Sequence, residues 1–133
     1  MCLLGCAAVS EKTTELFSSN TPAIAVFDGR VLWGRANFTS AHEATLQLQT
    51  TDAPTLTCSG SLRYTATNSG SVGLACSDGR SASLAFQALS ALSGAGRGQV
   101  GSAGFVLTYG LAPEQAAGYL GLPAERLVRP EGS

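Results

Sequence analysis

Catalysis needs groups that exchange protons, attack carbon or grip ions, and this chain carries few of them. Its one histidine, His42, stands in Ser40-Ala41-His42-Glu43. A single imidazole leaves no two-histidine metal site and makes any Ser-His-Asp machinery depend on that residue. No serine lies in a Gly-x-Ser-x-Gly elbow. Asp28, Glu43, Asp52 and Asp78 are dispersed among turns, so neither a calcium loop nor a paired-carboxylate hydrolase is expected. Gly96-Arg97-Gly98-Gln99-Val100-Gly101 satisfies Gly-x-Gly-x-x-Gly. Dinucleotide binding needs that motif between a strand and a helix, and here a strand follows it. The reading is of no catalytic residue, no metal and no cofactor.

What remains is recognition. Arg97 between Gly96 and Gly98 offers a cation and backbone amides to an anionic group or a partner strand. The plainer alternative for residues 93–104 is a glycine-rich, bulged edge strand or mobile loop. Trp33, the single tryptophan, offers an aromatic anchor or else packs as partial core beside Ile24.

Two cysteines report on compartment. Cys58 and Cys76 lie in segments whose even-numbered positions are apolar or small, which turns both sulfurs toward the core side. Their spacing fits neither a zinc nor a CxxC redox motif. In a hairpin with Cys58 opposite Cys76, Tyr64 falls opposite Gly70 and residues 65–69 form the loop. A disulfide fits this pairing, and two buried thiols are the alternative.

The chain opens Met1-Cys2-Leu3-Leu4-Gly5-Cys6-Ala7-Ala8. Leu3-Leu4-Gly5-Cys6 resembles the lipobox of bacterial lipoproteins. The resemblance implies a diacylglyceryl thioether on Cys6, removal of the residues before it and acylation of the new N-terminus. It makes the lipid on Cys6 the protein's contact with the membrane. Ala7 after the cysteine resembles the outer-membrane class, whose inner-leaflet members hold their domains in the periplasm. A signal peptide needs a basic start and an apolar stretch of about 7–15 residues, so the rest of it is expected upstream of Met1. The mostly polar residues 10–22 read as a flexible tether. The alternative is a cytoplasmic protein in which Cys2 and Cys6 are ordinary thiols.

Positioning falls to short strands. Charged residues make up 13% of the 133-residue chain, about half the usual share, with glycine, serine, threonine and alanine in their place. Asp28-Gly29 separates the apolar-alternating residues 23–27 and 30–38, and suits a tight hairpin. Residues 44–50, 56–66, 72–76, 81–89 and 104–109 alternate likewise. The second Asp-Gly pair, Asp78-Gly79, must sit in an odd-length link or a bulge to keep both flanking apolar sets on one face. Pro113 suits the first position of a helix over about 113–120. The expected fold is a mainly β domain over residues 23–128, a small antiparallel sandwich or barrel of about seven strands. Its short C-terminal helix covers an end or an open edge, and residues 129–133 fray.

A net charge of −1 gives no field to draw nucleic acid. The expected function is that of a non-catalytic envelope lipoprotein that binds another periplasmic or outer-membrane component, with no oligomeric state implied. One alternative is a small-molecule carrier with an apolar pocket near Phe86, Phe105 and Tyr109. Another is an inhibitor of an exogenous enzyme such as lysozyme, whose lipid-anchored barrel inhibitors are of this size.

Overall fold

Alternation of small polar and apolar residues gives each segment one wet face and one dry face, and along Glu43–Thr50 exposure and burial alternate without exception. The computed structural model describes residues 19–123 and residue 127. Cys2, Cys6, the tether up to residue 18 and the tail 129–133 lie outside the described residues. The strands are β1 (Ser19–Phe27), β2 (Arg30–Phe38), β3 (Glu43–Thr50), β4 (Thr57–Ala66), β5 (Ser69–Cys76), β6 (Ser81–Ser90), β7 (Ser93–Val100) and β8 (Ala103–Tyr109). Each pairs antiparallel with the next, and β8 pairs back with β1 to close a barrel. The helix α1 (Pro113–Leu120) follows.

Eight strands replace the expected seven or so because β7 is a full member of the wall. Its glycines read as a bulged edge strand or mobile loop, yet Arg97 pairs with Ala85 on one side and Val106 on the other. Pairing on both sides overrides weak strand propensity. β1 also begins earlier than expected, since residues 19–22 pair with residues 35–38. The tether boundary therefore moves back from residue 22.

The turns follow their chemistry. Asp28 and Gly29 both adopt positive φ, 58° and 76°, joining Phe27 and Arg30 in a two-residue hairpin. Ser77-Asp78-Gly79 forms the odd-length link between β5 and β6, with Gly79 at φ 90° and the Cys76 N–H donating to the Arg80 carbonyl. Cys58 lies opposite Cys76 and Tyr64 opposite Gly70. The loop beyond them is tighter than residues 65–69. A register shift after Tyr64 lets Ala66 pair with Ser69, so the turn shortens to Thr67-Asn68 and one more pair forms.

Closure bends the strands. A Cβ on Gly34 of β2 would stand 1.6 Å from the Gln47 carbonyl oxygen of β3, so only glycine permits this approach. Inside, Phe27, Leu32, Leu46, Leu62, Phe105, Leu107 and Tyr109 are fully buried, and Phe27 stacks on Phe105 with centroids 4.8 Å apart. Side chains thus occupy the interior. A second apolar cluster lies outside the barrel, where Ala116, Ala117 and Leu120 of α1 cover Ile24 and Trp33, with Leu111 and Leu127. The helix covers a wall rather than an end or edge, because a closed barrel has no edge to cover.

The two ends are sealed differently. At one, the Arg80 guanidinium sits 4.5 Å above the Phe27 ring and pairs with Asp78 at 2.6 Å and Asp28 at 3.7 Å. Arg30 reaches Asp52 at 2.8 Å at the same end. The hydrogen bonds from Arg80 and Arg30 hold the Asp78 and Asp52 carboxyls below the usual carboxylate range. At the other end Tyr64 lies across the mouth. Its hydroxyl is 3.0 Å from the Tyr109 hydroxyl, and its ring meets Phe86 edge-on at 5.0 Å. Burial, then the hydrogen bond to Tyr64, pushes the Tyr109 phenol well above its ordinary range.

Two outcomes are expected. Gly34→Ala should cost more than about 2 kcal/mol in urea unfolding, because backbone must move. Gly73→Ala, whose Cβ meets nothing within 4 Å, should be neutral or stabilising by up to about 1 kcal/mol. Equal effects at both sites would refute the close-approach account. Folding keeps the Tyr109 phenol neutral, so the folded chain retains a proton that the unfolded chain releases above the ordinary value of 10.0. Stability from this group is complete below that pH and declines as pH rises past it. Urea midpoints between about pH 8 and about pH 11 should fall above 10, and Tyr109→Phe should flatten the fall. A variant that falls as steeply would assign the effect to other groups.

Candidate functional site

The one imidazole is not part of a catalytic constellation. His42 is exposed in the loop between β2 and β3, and its ring lies edge-on to Tyr64 at 6.4 Å. Its ring makes no hydrogen bond among the described residues, while its backbone carbonyl accepts the Tyr64 N–H at 2.8 Å. His42 and Tyr64 border a concavity of about 310 Å³ at the mouth, beside exposed Leu89. Among the described residues no group of three or more His, Cys, Asp or Glu side chains could hold a metal.

The candidate recognition residues Gly96, Arg97, Gly98 and Trp33 fall at two places, the first three on β7 and Trp33 beneath α1. Gly96 and Gly98 back onto β6: a Cβ at Gly96 would be 2.8 Å from the Phe86 Cβ, and one at Gly98 2.2 Å from the Ser83 carbonyl oxygen. The backbone of β7 is paired on both sides, so it presents no free edge to a partner strand. Trp33 packs with Ile24 beneath α1, with 9% of its surface exposed. Arg97 alone of the four projects outward. It borders a concavity of about 320 Å³ against Val106 and the half-exposed Tyr119. Among the described residues it has no ion pair and no hydrogen bond.

A third concavity, of about 670 Å³, lies on the outer wall of β2, β3 and β4. Strand register builds it in rungs. Trp33 stands opposite Gln49 and Gln49 opposite Thr57; Arg35 stands opposite Gln47 and Gln47 opposite Ser59; Asn37 stands opposite Thr45. Arg35 donates through Nε to the Asn20 side-chain oxygen at 3.3 Å. Sequence alternation turned Thr45, Gln47 and Gln49 to one face of β3, but nothing in the sequence set them beside Arg35 and Asn37. That depends on the β2 to β3 register, fixed by the four-residue connection 39–42, across which the Thr39 N–H donates to the Glu43 carbonyl.

No protein-family model matches the chain, and no curated protein matches it. Two solved structures resemble it. The redesigned β-barrel b11L5F_LGL superposes with a TM-score of 0.55 over 74% of this chain and 94% of its own, at 10% identity. The redesigned β-barrel mFAP1, bound to DFHBI, gives 0.57 over 74% and 97%, at 12% identity. The likeness is one of fold, and the fold is a closed antiparallel β-barrel of eight strands with one short C-terminal helix.

Proposed function

We propose that the chain is a non-catalytic lipoprotein of the bacterial envelope, anchored through Cys6 to the periplasmic face of the outer membrane, and that it acts by binding another envelope component. The observation that carries this reading is the Cys58–Cys76 bond, which joins β4 to β5 with both residues buried. Such a cross-link belongs to oxidising compartments, the periplasm among them. The anchor itself rests on Leu3-Leu4-Gly5-Cys6. Binding is favoured over catalysis because four carboxylates, Asp28, Glu43, Asp52 and Asp78, are each engaged by an arginine in tying turns or strands together. The lone imidazole stands edge-on to the Tyr64 ring and makes no hydrogen bond among the described residues.

A second reading, a small-molecule carrier, draws on the barrel mFAP1, which is described as bound to DFHBI. Phe86, Phe105 and Tyr109 point into the barrel, but they are packed against neighbouring rings, Phe86 edge-on to Tyr109 at 5.8 Å and Phe105 on Phe27. A guest would have to displace Tyr64 from the mouth.

Expressed in its own host with its upstream sequence, the protein should incorporate radioactive palmitate, and Cys6→Ser should abolish the label. Non-reducing mass spectrometry should find residues 58 and 76 cross-linked, and reduction should lower stability by about 3 kcal/mol. An unlabelled protein in the cytosolic fraction with free thiols at both positions would overturn the reading.

A further inference from the structure

We propose that the concave outer wall of β2, β3 and β4 binds a linear polyhydroxylated ligand, a glycan strand. This deepens the binding reading and is independent of the lipid anchor. The wall bends where Gly34 abuts β3, and the concavity of about 670 Å³ lies over that bend.

Its lining is mostly polar, with Trp33 among it. Arg35, Asn37, Thr45, Gln47, Gln49 and Ser59 present amides, hydroxyls and one guanidinium, and among the described residues no carboxylate lines the site. Apart from the Arg35 to Asn20 bond, these side chains make no hydrogen bond among the described residues. An amide both donates and accepts, as each hydroxyl of a sugar does, so the two sets are complementary without a charge on the ligand. The groups are also periodic. Gln47 and Gln49 are separated by two residues, roughly 6.7 Å along β3, and the rungs cross to the neighbouring strands at intervals of about 4.8 Å. A lattice of this kind suits a polymer that repeats its hydroxyl pattern.

Rival occupants fit less well. Protein interfaces are centred on aromatic and apolar anchors. Among the described residues the exposed large apolar side chains, Leu89, Leu92 and Tyr119, all lie elsewhere, and Trp33 in this lining is 9% exposed, packed with Ile24 and the helix. Nucleic acid needs several phosphate contacts, and among the described residues one guanidinium faces this wall. Nor are long amides required for solubility: the outward positions of β5 are filled by Ser71, Gly73 and Ala75.

The test uses the purified full chain, with co-sedimentation on peptidoglycan sacculi and titration with chitohexaose, a peptide-free glycan. Wild type should bind both. Gln47→Ala combined with Gln49→Ala, and separately Arg35→Ala, should weaken both by about tenfold or more. Gln87→Ala with Gln99→Ala, on the opposite wall, should leave binding unchanged, and thermal melts should show every variant folded. Binding of sacculi without chitohexaose would assign recognition to the peptide and overturn the proposal. So would undiminished binding by the β3 variant, or no binding by wild type. The broader binding reading fails separately, when cross-linking in intact envelopes recovers no partner through any face.

Discussion

The fold depends on the seam between its last strand and its first. Phe105 through Tyr109 pair with Phe27 through Ala23, and the Gly110 N–H donates to the Pro22 carbonyl at 2.7 Å just beyond. Without that seam, β1 and β8 would each expose a row of unpaired amides and carbonyls. With it, every strand has two neighbours, so even a glycine-rich segment such as β7 is held in the ladder by its surroundings. The seam is reinforced from outside, where α1 lies against it and the buried Thr108 hydroxyl donates to the Ile24 carbonyl at 3.2 Å.

Closure also divides the labour between faces. The inward face is committed to packing: Phe27, Phe105, Phe86 and Tyr109 interlock, and Arg80 at one end and Tyr64 at the other lie over them. A second wall, formed by β8, β1 and the Val31 to Trp33 end of β2, is committed to the helix. Recognition is left with the rest of the outer face, from Arg35 of β2 onward, and the mouth. This is why the search for a site leads away from the apolar interior that small barrels use when they enclose a ligand.

How much of this was legible follows from the range of each signal. Local signals read well: Asp28-Gly29 specified its hairpin, the odd link at Asp78-Gly79 followed from facing parity, and Pro113 marked the helix start. The opposition of Cys58 to Cys76 was also readable, because one hairpin register serves all its inward residues at once. Non-local facts were not. The unbroken apolar run Ala23-Ile24-Ala25-Val26-Phe27 belongs to a strand buried on both faces, one by the core and one by α1, and nothing adjacent in sequence announces the helix that covers it. For Trp33 the sequence left an aromatic anchor and partial core beside Ile24 both open, and only the fold decides for the second. For Arg97 the sequence left an edge or loop open, and barrel closure pairs its strand on both sides.

The scarcity of charge follows the same logic. A small closed barrel has tight turns that splay without ties, and the charges described here mostly supply those ties: Arg30 to Asp52, Arg80 to Asp78 and Asp28, and Arg63 to Glu43 across β3 and β4. Exposed pairs of this kind add little stability each. Their value is geometric, since Arg30 also grips the Thr50 hydroxyl and the Pro54 carbonyl and so fixes the path of the long connection between β3 and β4. That connection sets the register that places Ser59 beside Gln47 and Thr57 beside Gln49. The ion pairs at one end of the barrel therefore position the neutral amides on its wall, and a surface almost without net charge can still be an ordered array of hydrogen-bonding groups.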